Sequence, residues 1–369
     1  MMGRVTRAMA LFVGLILNES SASAQLVFNI TNDSTNPATA QMITGMQQAA
    51  AMWSAVLTDS ITINIRIASK SYPAGTIGHT DTFYDPYTYS SVRTALINDR
   101  TSATDLSATN AMQAGPAISM LINKTKNNPN GVVSATPYFD TGLGGAGQAG
   151  PENNNTVRIS SANAKALGLY PANAAGNDGI ITFTSTALFD FNRSDGITSN
   201  KIDFVGAAAH EIGHLLGFTS GVDVLATNST APGLNDNQLK YVTTLDLFRF
   251  SSRSIAIGSG GGTGVIDWTD DSFAKYFSVD GGATAIAPFS TGSVNEASHW
   301  GITAPVTGIM DPTVVGGELL SITSSDLLAF DAIGYNLVAV PEPSFGIALG
   351  LAALGMARQW RIRSRSGSV

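Results

Sequence analysis

Within the stretch 204–218, FVGAAAHEIGHLLGF, three residues have the types and spacing to do chemistry: His210, Glu211 and His214. Residues four apart share one face of a helix, so the two imidazoles are predicted to aim at a single ion. Glu211 follows His210 about one hundred degrees around the axis. That offset puts its carboxylate beside a metal rather than on it. The chemistry predicted is zinc-dependent hydrolysis, in which zinc lowers the pKa of water toward ~7 and Glu211 acts as general base, then as proton donor to the leaving amine. The plainer reading is a pair of core histidines bonded to carbonyls with a glutamate on the rim. Burying three ionisable groups on an Ala- and Leu-rich helix would be costly without a metal.

Catalytic zinc takes three protein ligands plus water. The chain has no cysteine and four histidines, His79, His210, His214 and His299, so any metal is held by imidazoles and carboxylates. The compact spacing H-E-x-x-H-x-x-G-x-x-H would place the third ligand at Ser220, a poor donor, and no glutamate lies between Glu211 and Glu296. Asp223, Asp236, Asp246 and His299 remain open as candidates. Gly217 is predicted to end the helix, because glycine accepts positive φ at a C-terminal turn.

Such a helix must be mounted on a scaffold. Segment 25–31 reads as a strand and 38–57 as a helix with Trp53 near its end, while Ile61, Ile63, Ile65 and Ile67 alternate with polar residues as in a half-buried strand. Helices are predicted at 89–98, 108–123 and 203–216, a strand at 179–185, and a loop at 142–155 rich in Gly, Asn and Pro. His79 is placed in a loop. Apolar segments at 241–251 and 276–280 flank the glycine-rich run 258–262. The order predicts one mixed α/β (α+β) catalytic domain over 25–337: two lobes, a mixed twisted sheet, the active-site helix and an irregular C-terminal lobe.

Over 369 residues, hydrophobic types make up 44% and charged types 13%, against roughly 25% charged in ordinary domains. A net charge of -7 offers no basic field for a phosphate backbone and argues against nucleic-acid binding. The lack of cysteine removes disulfide scaffolds, iron–sulfur clusters and thiol nucleophiles. Both ends read as addresses. Arg4 and Arg7, an apolar run at 8–17 and the small residues Ala22 and Ala24 predict a signal peptide over 1–24, cut by signal peptidase before Gln25. At the other end come Pro341-Glu342-Pro343, a short apolar membrane segment at 345–357, and Arg358, Arg361, Arg363 and Arg365 as a basic stop. That segment is shorter than the ~20 residues of an ordinary spanning helix.

Two resemblances add to this reading. The tail 338–369 resembles the PEP-CTERM sorting signal of exopolysaccharide-making Gram-negative bacteria. The resemblance implies transient inner-membrane anchoring, an exosortase-type sorting enzyme as partner, and a secreted, cell-surface or extracellular-matrix destination. The residues His210 to Phe218, a long insertion, Ser298-His299-Trp300 and Gly308-Ile309-Met310-Asp311-Pro312 resemble leishmanolysin-type metzincins, and 324–335 is similar to the helix that closes many secreted metzincins. This second resemblance implies a two-lobed zinc protease acting on protein or peptide substrates, His299 as third ligand, and Met310 packed beneath the imidazoles. Pro312 stands where astacin-like and serralysin-like enzymes carry a ligating tyrosine, which implies three protein ligands here. Tyr335 and His79 are the candidates for an oxyanion donor. The rival class is a non-catalytic matrix or adhesion protein with a structural zinc site, which would have no use for the base at Glu211.

Overall fold

The computed structural model describes residues 26–73, 75–142, 152–258 and 264–338. The expected signal peptide (1–24) and the sorting tail from residue 339 on, with its apolar segment at 345–357, lie outside the described residues. Among the described residues no helix is long and apolar enough to cross a membrane.

The fold is mixed α/β with one four-stranded sheet and several small ones. The large sheet consists of β1 (Val27–Asn32), β2 (Thr62–Lys70), β3 (Gly78–Thr82) and β4 (Gly179–Thr184), in the order β1-β2-β4-β3. The first three neighbours run parallel, with Ile30 opposite Ile65 and Ile67 opposite Ile181, and β3 closes the edge antiparallel to β4. β2 is more buried than its alternating pattern predicts. Its isoleucines face the core, while Asn64 on the other face is covered by the 172–178 loop. Asn64 donates its N–H to Asp178 Oδ2 (2.7 Å) and its amide to the carbonyls of Ala174 and Gly176. A fully buried Lys165–Asp178 pair (2.7 Å) locks that loop, so every polar group there is paired, as burial requires.

Helix α1 (Ala40–Ser54) starts where the Thr39 hydroxyl accepts the Met42 N–H, and it buries Met42, Met46, Ala49 and Trp53 at helical spacing. Helix α2 (Tyr89–Asn98) has the predicted bounds. The helix expected at 108–123 is instead α3 (Ala103–Ala111) followed by a strand at Met120–Ile122. The Ser102/Asp105 capping box starts the helix early, Met112 turns extended and ends it, and Gly115, at φ 98° before Pro116, keeps it from resuming. His79, expected in a loop, lies in edge strand β3 opposite Thr182. The sequence GHTDT contains no apolar residue, so its period of two is invisible to a hydrophobic pattern. Helices α4 (Phe204–Leu216) and α5 (Ser324–Ala332) follow the predicted positions. Between them the chain is largely irregular, apart from short pairings such as the antiparallel strands Arg249–Phe250, Lys275–Phe277 and Ala287–Phe289. Phe218, Phe277, Phe289 and Trp300 join that region to the core, with ring centroids 4.8 Å apart for Phe218–Trp300 and 5.1 Å for Phe289–Trp300.

Candidate metal centre

Asp203 opens α4 and ties it to two distant segments. One carboxylate oxygen accepts the Gly206 N–H (3.1 Å); the other pairs with Arg193 (3.0 Å) and accepts the Leu320 N–H (3.1 Å). Trp53 of α1 donates its indole N–H to the Ala209 carbonyl at 2.9 Å. A glycine inside a helix costs about 1 kcal/mol relative to alanine, and Gly213 has a packing reason for that cost. A Cβ there would overlap the sulfur of Met310, which is fully buried against the helix. Gly217 ends the helix at φ 120°, as predicted.

The three histidines expected as ligands come together. The Nε2 atoms of His210, His214 and His299 are separated by 3.0, 3.2 and 3.3 Å. Each Nδ1 faces a backbone carbonyl: Ile309 at 2.7 Å for His210, Phe218 at 2.8 Å for His214 and Glu296 at 3.3 Å for His299. A carbonyl oxygen only accepts, so each Nδ1 is the protonated nitrogen, and in a neutral ring Nε2 then presents a lone pair. Three converging lone pairs with no proton between them repel unless a cation lies among them. Imidazoles at the usual ~2.05 Å from zinc in tetrahedral geometry stand about 3.3 Å apart, which matches the observed triangle. Burial, together with the neighbouring imidazoles, pushes His214 well below its usual pKa and His299 to about 3. Both are thereby held neutral, as ligation demands. The group can hold a metal ion.

Glu211 is 8% exposed and faces the same cleft, of about 840 Å³. Edge strand β3 holds it from one side. Thr80 donates its hydroxyl to Oε2 at 2.6 Å, and Gly78 lies so close to Oε1 that a Cβ would come within 2.5 Å of it. Burial raises the carboxyl pKa, while His210 and the Thr80 hydrogen bond pull it back. Neither Thr80 nor Gly78 is flagged by sequence, since a strand of small and polar residues carries no hydrophobic signal.

The aspartates held open as third ligands have other work. Asp246 accepts from Ser220 Oγ, the N–H groups of Gly221 and Thr243, and Trp268 Nε1. Asp236 accepts from Tyr138. Asp223 accepts from Ala297 N–H, Ser298 N–H and the Ser298 hydroxyl, and so fixes the two residues before His299. Ser298 Oγ in turn accepts the Ser220 N–H at 2.9 Å. Asp326 at the start of α5 accepts from Trp300 Nε1, Ile309 N–H, Thr323 N–H and, more weakly, Met310 N–H. It thereby holds the residue after His299 and the carbonyl-bearing residue behind His210.

Of the two oxyanion candidates, Tyr335 is corrected: it is buried, with its hydroxyl donated to the Leu216 carbonyl at 2.8 Å. His79 borders the cleft but is largely exposed and pairs with Asp81 at 3.2 Å. Comparison of the chain with protein-family models, with curated proteins and with solved structures finds no match among them.

Proposed function

We propose that the protein is an exported zinc-dependent endopeptidase of two-lobed, metzincin-like design, with His210, His214 and His299 as ligands and Glu211 as general base. The observation that carries this reading is the triangle of converging Nε2 atoms opening onto a cleft beside a held carboxylate. A structural zinc site is closed by four protein ligands, whereas three nitrogens facing a cleft leave room for substrate.

When bound, zinc supplies Lewis acidity, which acidifies water and polarises a carbonyl. The chain's own residues do the rest. Thr80 fixes Glu211 Oε2, so Oε1 is the oxygen that takes the proton of the attacking water. The same carboxyl then delivers that proton to the amide nitrogen as the carbon–nitrogen bond breaks. The carbonyls of Ile309, Phe218 and Glu296 hold the imidazole rings in one tautomer, and Met310 packs beneath the helix. Export by signal peptidase and release from a transient inner-membrane anchor by an exosortase-type enzyme complete the proposal.

Glu211→Gln tests it. The variant is expected to bind zinc at wild-type stoichiometry while casein hydrolysis falls by at least about a thousandfold. Equal activity in variant and wild type, or none in either across a broad substrate panel, removes the peptidase reading and favours a structural role for the metal.

A further inference from the structure

The cleft is lined by three carboxylates, Glu211, Glu296 and Asp311, and among its described lining residues there is no lysine or arginine. Glu211 has Thr80 as partner. Asp311 differs. Its Oδ1 accepts both the N–H and the hydroxyl of Thr313 (3.0 and 2.8 Å), but its Oδ2 has no hydrogen-bond partner among the described residues, although Asp311 is only 5% exposed. A buried acceptor that the chain's own donors leave unpaired is costly, so this oxygen can take a donor from a bound ligand. The same cleft also has apolar lining: Ala207, three residues before His210 and thus on its helix face, Leu320 against neighbouring Gly206, and Val314, three residues after Asp311.

From these features we infer that the cleft selects polypeptides with a lysine or arginine side chain next to the bond to be cut, and that Asp311 is the selecting residue. Apolar walls suit the methylene stem of such a side chain, and the free oxygen suits its cationic head. With one carboxylate oxygen already taken by Thr313, the two-pronged arginine pairing is unavailable, so lysine and arginine are accepted alike. The inference rests on the peptidase reading for the word "cut", but the selection itself is a binding property.

The experiment therefore has two arms. In the first, zinc-loaded wild type digests a randomised peptide library, and the cut sites are read by mass spectrometry. Lysine and arginine are expected at one position flanking the cut, with the enrichment falling about tenfold or more in Asp311→Asn. In the second, Glu211→Gln protein is titrated with fluorescent peptides identical except for one lysine or norleucine in an alanine–leucine host. The lysine peptide is expected to bind about tenfold tighter or more, and the ratio to collapse when Asp311→Asn is added. If the first arm yields no cleavage, the peptidase reading falls while the second still decides the selection. A lysine-to-norleucine ratio near one overturns the inference, as does a ratio untouched by Asp311→Asn. Zinc stoichiometry checks that Asp311→Asn folds; if it does not, the wild-type ratio alone decides between selection and none.

Discussion

On α4, the distance between His210 and His214 is a property of the helix, which is itself set by the Asp203 cap and by packing on α1 and the sheet. Around His299 no helix or strand sets the geometry. Its carbonyl accepts the Ser290 N–H at 2.9 Å and Trp300 donates its N–H to the Met310 carbonyl at 2.9 Å, while Asp223 grips the two residues before it and Asp326 grips Trp300 after it. In the first region the holding energy is spread over a backbone ladder and many apolar contacts. In the second it rests on a few isolated backbone hydrogen bonds and on two carboxylates, half-buried Asp223 and buried Asp326, each accepting several donors. The irregular region can thus be as exact as the helix, but it is more fragile to single substitutions.

The largest expected effect would show whether the two regions form one site at all. His299→Ala should weaken zinc binding by more than about a hundredfold and abolish hydrolysis, as His214→Ala should. Metal analysis that finds stoichiometric, tightly held zinc in His299→Ala would separate the two regions and sink the three-histidine site. Next, Asp326→Ala orphans the buried donors of Trp300 and Ile309 and the half-buried Thr323 N–H, and should cost about 3–5 kcal/mol in urea unfolding. Thr39→Ala, which removes the α1 cap, should cost only about 1 kcal/mol. Equal losses would break the contrast between concentrated and distributed holding.

A smaller effect is expected from Asp223→Ala, which loosens the segment before His299 without touching a ring. Zinc should still bind at full stoichiometry under saturation, with affinity reduced about ten- to a hundredfold by competition with a chelator. Unchanged affinity would mean that His299 is placed by something other than this carboxylate.

The smallest effect concerns a cluster of carboxyl groups outside both regions. Burial, reinforced by neighbouring aspartates, raises Asp59 and Asp331 to about 6 and Asp99 to about 7, and these groups reach from both sides of the α3–α5 contact. A raised carboxyl pKa stabilises the fold fully below its ordinary value of 3.8, and that contribution is lost as pH rises through 6 to 7. Asp99→Asn should therefore gain on wild type in urea midpoint between about pH 5 and pH 8. A difference that stays flat across that range would leave the cluster without influence.

What can be read from the sequence follows the same division. His210, Glu211, His214 and Gly217 are legible because helix periodicity converts spacing into direction. The bounds of α2 are legible for a similar reason. His299 lies 85 residues from His214, and nothing local to it encodes proximity; elimination leaves it level with three aspartates until a family resemblance favours it. Strand β3 is hidden because an edge strand of Gly, His, Thr and Asp buries too little to show alternation. Helix α3 lies earlier than its apolar pattern suggests, because the run 117–122 has a helix-like composition but follows the Gly115-Pro116 break and pairs as a strand. Asp223 and Asp326 cannot be recognised as holders, since their donors are mostly backbone N–H groups, which carry no sequence signature.

The hydrogen bond from Ser220 N–H to Ser298 Oγ has one more consequence. Position 220 is where the compact spacing would have seated a third histidine, and Ser298 immediately precedes the histidine that converges on the other two. The intervening chain therefore departs and returns at one point in space, like a bight tied off at its neck. Its length is decoupled from the metal centre: residues can be added to or removed from its outer turns, at an entropic cost that grows only logarithmically, without moving the knot. What cannot be exchanged is the part of the stretch that packs back on the site: Asp246, which accepts from Ser220 and Gly221, and Phe277 and Phe289, which lie in the core beside Trp300.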